Sequence, residues 1–206
     1  MHVNRIACAA LIVTLIGASN NDCFAAPPSK SAVYGLVFDG TNRDSINKEI
    51  DIGTVLINNK WPDDTVIIVR YENRTDIRIE QDATTNKADL LDVVENLYAG
   101  LAPPAALDAV YLAAKTLADG AATETQRSLV LIAHGADIES YYSIKDVLTL
   151  LRQQGIRLYV IGVNPDATGR VFLEGLAKGA GGAAYFPSSA ADANQTIDQV
   201  SAGIHR

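Results

Sequence analysis

Cysteine is scarce in this chain, whose 206 residues include only Cys8 and Cys23. Both lie in the first 25 residues, which have the features of a removable leader. Without that leader the chain would carry no thiol, which excludes disulfides, zinc–cysteine sites and cysteine nucleophiles. A thiol-free chain is compatible with an oxidising compartment, and its stability must come from an ordinary hydrophobic core.

Histidine and clusters of positive charge are also rare. Only His134 and His205 lie outside the leader, and the formal net charge of the chain is −7 with no basic run. A Ser-His-Asp triad would have to use His134, yet no Gly-x-Ser-x-Gly motif supplies the serine. The acidic balance argues against a nucleic-acid partner, because nucleic-acid binding needs clustered Lys and Arg.

The N-terminal segment has the pattern of a secretory signal peptide. Arg5 precedes an apolar run at 6–18, and small residues lead to Ala25 and a proline pair. The run is shorter than the ~20 apolar residues of a membrane-spanning helix. We therefore predict a signal peptide at 1–25, a flexible lead-in at 26–31 and one domain at 32–206. We expect a secreted or periplasmic protein with no membrane span after signal removal.

Short apolar runs alternate with helical patterns through the rest of the chain. The runs predict strands at 32–38, 65–71, 128–133, 158–163 and 184–186, with a half-exposed edge strand at 75–80. The helical patterns predict helices at 45–61, 84–97, 105–117, 144–154, 170–178 and 190–204. This alternation predicts an α/β fold with a single doubly wound, mainly parallel sheet, one antiparallel edge strand and helices on both faces.

Two loops follow strands whose carboxyl ends are expected to form a ligand site, because such sheets bind ligands where their strand order reverses. These loops, 39–45 and 134–140, belong to segments that resemble the von Willebrand factor type A (vWA) family. The matching segments are Leu-Val-Phe-Asp-Gly-Thr at 36–41, the strand at 65–71, Ser-Leu-Val-Leu-Ile-Ala-His-Gly-Ala-Asp at 128–137 and the strand at 157–163. The resemblance implies a vWA or Rossmann-like fold and a role in protein binding or cell adhesion, without catalysis.

The resemblance also implies where a protein partner would bind, namely at the C-terminal rim of the sheet. Tyr141, which follows the second loop, is a candidate aromatic anchor, since tyrosine is enriched at binding hot spots; the alternative is that it covers the edge of the sheet. We predict that the partner-binding residues are Asp39, Thr41, Asn42, Arg43, Asp44, His134, Asp137 and Tyr141.

Many vWA domains hold a divalent cation at these loops, and the resemblance places the corresponding ligands. The family motif is an Asp-x-Ser-x-Ser loop, a threonine after the second helix and an aspartate that ends the third buried strand. Asp39 and Thr41 match the first two positions, but Arg43 occupies the third, the threonine position falls near 102–104, and His134 occupies the last. A hard cation needs several oxygen ligands. We therefore predict a degenerate metal-ion-dependent adhesion site and no resident cofactor.

Two alternatives concern the same loop. In the first, a cation such as Mg²⁺ still binds at a modified site that uses Asp39 and Thr41, helped by nearby oxygens of Asn42, Asp44, Asp137 and Glu139. His134 could instead ligate a softer metal through its imidazole. In the second, Asp39 and Arg43 form a local ion pair and cap the following helix.

An enzymatic alternative also begins at Asp39. The segment Phe-Asp-Gly-Thr at 38–41 resembles the Asp-x-Asp-Gly-Thr signature of haloacid-dehalogenase-like phosphatases. The nucleophilic aspartate of that signature falls on Val37, which cannot attack phosphorus. A hydrolase with an atypical active site is therefore the least favoured function, and we predict that the protein is not an enzyme.

Overall fold

Strands and helices alternate along the part of the chain that the computed structural model describes, residues 31–120 and 126–206. The strands are β1 (Val33–Asp39), β2 (Thr65–Asn73), β3 (Asp76–Thr84), β4 (Arg127–Ala133), β5 (Ile156–Gly162) and β6 (Ala184–Tyr185). The helices are α1 (Ile46–Asn58), α2 (Lys87–Glu95), α3 (Ala106–Gly120), α4 (Ile144–Gln153), α5 (Ala167–Gly179) and α6 (Ala190–Ile204). The predicted signal peptide and positions 26–30 of the predicted lead-in lie outside the described residues. Within the described ranges, no helix combines the length and apolarity needed to cross a bilayer.

The strands form one sheet in the order β3-β2-β1-β4-β5-β6. All neighbouring pairs are parallel except β2 and β3, which form an antiparallel hairpin at one edge. The predicted fold class is therefore confirmed. The strand order reverses between β1 and β4, whose register pairs Phe38 with Ile132. The loops that follow these two strands consequently open on the same crevice.

Helices cover both faces of the sheet, and the side chains of β1 alternate between two cores. Leu36 and Phe38 belong to the core shared with α1, α2 and α6, whereas Val37 belongs to the core shared with α3, α4 and α5. A period of two is expected for a strand that is buried on both faces. Because apolar side chains fill both faces, polar groups are left to the ends of the strands.

Two predicted boundaries shift because polar side chains organise the turns. β3 extends to Thr84, beyond the predicted end at 80, and the hairpin turn is tightened by Asn73, whose Oδ1 accepts from the Thr75 N–H at 2.9 Å. α5 begins three residues earlier than predicted, because Asp166 caps it by accepting from the Gly169 N–H at 2.6 Å. Such local side-chain bonds are the usual determinants of turns and helix starts.

His205 lies at the opposite end of the sheet from the crevice formed by the loops after β1 and β4. Its ring stacks on Trp61 with centroids 3.6 Å apart, and its Nε2 lies 2.9 Å from Oδ2 of Asp64, which immediately precedes β2. These contacts fasten the end of α6 to the sheet. His205 therefore has a structural role away from the candidate site.

Candidate functional site

Asp39 and His134 meet at the point where the strand order reverses. Asp39 ends β1 and is fully buried, and His134 follows β4 with its side chain 26% exposed. The His134 Nδ1 lies 2.9 Å from Asp39 Oδ2, and the His134 backbone N–H donates to the same oxygen at 3.4 Å. The two loops singled out in the sequence therefore join through one buried carboxylate.

The second oxygen of Asp39 is also occupied. Oδ1 accepts from the Thr41 backbone N–H at 2.9 Å and from the Thr41 hydroxyl at 2.6 Å. Burial alone would raise the pKa of Asp39, but the hydrogen bonds from His134 and Thr41, with the charge of His134, hold this pKa below its ordinary value. Asp39 is thus a carboxylate that organises its own loop and the loop after β4.

The same contact acts on His134. The hydrogen bond with Asp39 raises the pKa of His134 above its ordinary value, although partial burial opposes this shift, and the charges of Asp39 and Asp166 add to it. The pair is consequently a carboxylate facing an imidazolium over a wider pH range than an isolated histidine would allow.

The ion pair should make stability depend on pH in a defined direction. Because the folded pKa of His134 is raised, its contribution is complete below the unfolded histidine pKa of about 6.5 and is lost as the pH rises through the folded value. The lowered pKa of Asp39 adds stability above the unfolded aspartate pKa of about 3.9, which is lost as the pH falls through the folded value. We expect the stability difference between the wild type and His134→Asn to be largest at about pH 5–6 and smaller at about pH 9. Denaturant unfolding across this range tests it, and a difference that does not change with pH would contradict the ion pair.

A second buried acid, Glu49 of α1, hydrogen-bonds to Asp39 and to the end of the loop that follows it. Its Oε2 accepts from the Asp39 N–H at 3.1 Å and its Oε1 from the Ser45 hydroxyl at 2.8 Å. Burial and then the charge of Asp39 raise the pKa of Glu49 well above its ordinary value. Glu49 was not predicted as a site residue, although its spacing from Ile46 and Ile52 places it on the buried stripe of α1.

Tyr71 at the carboxyl-terminal part of β2 completes this buried polar group. Its hydroxyl is buried and makes no hydrogen bond within the described residues, although the carboxyls of Asp39 and Glu49 are near. Burial, followed by the charges of these two acids, raises the pKa of Tyr71 well above its ordinary value. Tyr71 therefore stays neutral and adds no charge to the site.

Arg43 does not pair with Asp39, so the predicted local ion pair is wrong. Its Nε donates to the Ala99 carbonyl at 3.3 Å, which carries the side chain away from Asp39 toward the loop before α3. Ser45 at the start of α1 makes no side-chain capping bond. Within the described ranges, no carboxylate lies within ion-pair distance of Arg43.

Among the same residues, no three His, Cys, Asp or Glu side chains are arranged to hold a metal ion.

The loop after β4 is fastened to the start of α3 by two aspartates. Asp137 accepts from the Leu107 N–H at 3.0 Å. Asp108, which is only 7% exposed, accepts from the backbone N–H groups of Tyr141 and Tyr142 at 2.9 and 2.8 Å. Asp108 was not predicted as a site residue, although an aspartate in the first turn of a helix is a frequent acceptor for free N–H groups. These bonds give the loop a fixed shape.

Three loops make up the candidate surface, and we call them the rim loops: residues 40–45, 96–105 and 134–143. They are joined by backbone hydrogen bonds from the Gly100 N–H to the Gly40 carbonyl at 2.8 Å and from the Ile138 N–H to the Pro104 carbonyl at 2.9 Å. All the predicted partner-binding residues except Asp39, which ends β1, lie in the rim loops.

The predicted residues differ in their access to solvent. Arg43, Asp44 and Tyr141 are exposed, whereas Asn42, His134 and Asp137 are half-buried. Asp39 and Thr41 are buried, with exposed fractions of 0% and 6%. The buried members position the loops, and the exposed members are available at the surface.

Large apolar side chains are concentrated on the rim loops. Tyr98, Leu101, Ile138 and Tyr141 are four of the eight large apolar side chains that are exposed in the described residues, with 52%, 79%, 70% and 78% of their surfaces accessible. Tyr141 packs edge-on against Tyr142, and Tyr142 in turn stacks on Tyr111 of α3. Single exposed apolar residues are common, but these four lie on two loops that a backbone hydrogen bond joins.

Comparison with known proteins agrees with this arrangement. The model of the von Willebrand factor type A domain matches residues 38–200. The chain belongs to the von Willebrand factor type A family. No curated protein is significantly similar to it in sequence. Val37, at the nucleophile position of the phosphatase signature, is buried in the core of this vWA domain.

Solved structures of distant relatives share the fold. BatB from Bacteroides thetaiotaomicron has a TM-score of 0.68 and 13% identity over 84% of this chain and 98% of its own. The vWF domain of the type V pili tip protein Mfa5 from Porphyromonas gingivalis has a TM-score of 0.66 and 9% identity over 86% of this chain and 97% of its own. Proximal thread matrix protein 1 from the mussel byssus has a TM-score of 0.65 and 17% identity over 85% of this chain and 46% of its own. At these identities the similarity establishes the fold alone.

Proposed function

We propose that this vWA domain is an exported protein-interaction or adhesion module whose protein partner binds at the rim loops. The observation that carries the proposal is the concentration of exposed Tyr98, Leu101, Ile138 and Tyr141 on two of these loops. vWA domains commonly bind proteins, and a pilus tip protein is among the similar structures. No catalytic role is assigned, because the buried acids of the site are engaged with the loops.

The rigidity of the loop after β4 supports partner binding at this place. Its tyrosine pair is held through two backbone N–H groups by Asp108, and its start is held by Asp39. A surface that is already ordered loses less conformational entropy on binding. Tyr141 offers a large, stiff side chain on such a frame, which is the usual composition of a binding hot spot.

We propose that binding at the rim loops does not use a divalent cation, so that the metal site is degenerate. The residues do not fit a cation well. Both oxygens of Asp39 accept hydrogen bonds, and the Thr41 hydroxyl donates a hydrogen bond to one of them. His134 lies where the family has an aspartate, and the guanidinium of Arg43 would repel a cation bound at Asp39. Mg²⁺ held by Asp39 and Thr41 remains the alternative and would have to displace the hydrogen bonds between these two residues.

Export is proposed from the sequence. A signal peptide at 1–25, followed by the lead-in at 26–31 and one thiol-free domain at 32–206, suits a secreted or periplasmic protein. The pilus tip domain among the similar structures is consistent with this location.

Loss of the aromatic anchor should release the partner. We expect Tyr141→Ser to lower recovery of the partner about thirtyfold, the effect of losing roughly 2 kcal/mol at a hot spot. The partner would be captured from the secreted or periplasmic fraction of the source cells with a tagged protein. Val171→Ala is the control, since Val171 is 71% exposed on α5 outside the rim loops. Equal recovery with Tyr141→Ser and the wild type would refute the placement.

A further inference from the structure

The side chain of Arg43 is the feature of the rim loops that the proposed function leaves unused. It starts in the loop after β1, and its Nε donates to the Ala99 carbonyl in the loop before α3 at 3.3 Å. The Gly100 N–H donates to the Gly40 carbonyl at 2.8 Å and joins the same two loops. The guanidinium is therefore held at the junction of two fixed loops.

Most of the hydrogen-bonding capacity of this guanidinium faces outward. A guanidinium carries five N–H donors, and within the described residues only Nε of Arg43 has a protein acceptor. Arg43 is exposed, and no carboxylate of the described ranges lies within ion-pair distance of it.

The surroundings of Arg43 define the chemistry of a fitting ligand. Tyr98 and Leu101, which flank the Ala99 carbonyl in sequence, are 52% and 79% exposed. The loop that accepts the hydrogen bond from Arg43 therefore also presents exposed apolar side chains to a ligand. A planar guanidinium with free N–H groups matches a carboxylate in the bidentate manner. The negative charge of Asp39 is already balanced by His134 at 2.9 Å, so it does not oppose an incoming anion.

We propose that Arg43 receives an Asp or Glu side chain of the partner, flanked by apolar residues, and that a fixed guanidinium thereby provides the positive charge of the site without a metal ion. This inference rests on the proposed function, since it names the chemistry of a partner that binds at the rim loops. The poor fit of the loop after β1 to a metal ion supports the inference. Arg43 occupies the third ligand position of the family's metal motif, and its own positive charge takes the place of the ion's charge.

Selection from a displayed library of random linear peptides on the purified protein, run in parallel in buffer with EDTA and in buffer with Mg²⁺, tests the inference. We expect the selected peptides to be enriched in Asp or Glu beside apolar residues and to bind equally well with EDTA or Mg²⁺. Arg43→Glu should weaken them about tenfold or more, and Arg43→Lys less. Lys115→Glu, which makes the same charge change on the exposed surface of α3, should leave binding unchanged.

A double-mutant cycle separates the inference from a general charge effect. Changing the peptide acid to its amide should weaken binding to the wild type but cause little further loss with Arg43→Gln. Peptides that lose binding with Tyr141→Ser yet keep it with Arg43→Glu would overturn the inference and leave the proposed function standing. Acidic peptides that bind with Mg²⁺ and are lost with EDTA would overturn the metal-free assignment. Peptides insensitive to both Tyr141→Ser and Arg43→Glu, or a failure to select any, would overturn the proposed function as well.

Discussion

Replacement of Arg70 by methionine is expected to lower the free energy of unfolding by about 3–5 kcal/mol, the cost of breaking a buried ion pair by removing one partner. The Arg70 side chain in β2 is fully buried and contacts Glu72 at 2.8 Å, Glu80 at 2.9 Å and Asp76 at 3.5 Å. It also lies 4.1 Å from the centroid of the Tyr98 ring, whose hydroxyl accepts from Nη2 at 2.8 Å. Without the guanidinium, three carboxylates would lie together with one positive charge fewer between them.

The matched control for this change is Arg78→Met. Arg78 lies on the neighbouring strand and also bonds to Asp76, at 2.6 Å, but its side chain is 61% exposed. An exposed ion pair contributes little to stability, so this variant should unfold close to the wild type in urea. Equal losses for the two variants would show that burial of Arg70 does not control stability.

The Arg70 variant should also affect binding, because Tyr98 belongs to the rim loops and is held by Arg70. The loop before α3 would then be less ordered in the free protein. Binding of the protein partner would have to order this loop, which costs conformational entropy and weakens binding. Partner recovery should therefore fall with Arg70→Met even under conditions in which the variant is folded.

Asp39→Ala is expected to have the second large effect, a loss of about 3–5 kcal/mol, since it removes a fully buried carboxylate that accepts hydrogen bonds from both His134 and Thr41. The change also leaves the backbone N–H of Thr41 without its acceptor in a buried loop, which carries a desolvation cost. Asp39→Asn should cost less, because the amide oxygen can still accept from Thr41. Urea unfolding near neutral pH measures these differences.

Asp44→Ala is the control within the same loop. Asp44 is exposed, and its carboxylate makes no hydrogen bond within the described residues, so the change should stay within about 0.5 kcal/mol of the wild type. A small effect of Asp39→Ala, comparable to that of Asp44→Ala, would show that the carboxylate is not the organiser of the two loops.

The sequence was sufficient for the fold and for the meeting of Asp39 and His134 at one end of the sheet. Apolar runs and helical spacing predicted the strands before Asp39 and His134, and the rule for strand-order reversal placed both residues at one end of the sheet. The periodicity that reveals these elements comes from burial on two faces, which is a strong and local signal.

The contacts that hold the site could not be predicted in the same way. Asp108 and Tyr141 are far apart in the sequence, and their hydrogen bond depends on how α3 sits against the loop after β4. The predicted pairing of Asp39 with Arg43 failed for a related reason. Proximity in sequence favoured it, but the Ala99 carbonyl captures the arginine from a different loop. Glu49 was overlooked because its role needs both α1 and β1 in place.

The central claim is that a protein partner binds at the rim loops, and photo-crosslinking from defined positions tests it most directly. A photoreactive amino acid would be placed in the full chain at 138 or 141, in the rim loops. The control positions are 59 and 119, which are exposed at the C-terminal ends of α1 and α3, away from the rim loops. The account predicts crosslinks to one and the same partner from 138 and 141 and none from 59 and 119. Crosslinks to that partner from 59 or 119, with none from 138 and 141, would contradict it.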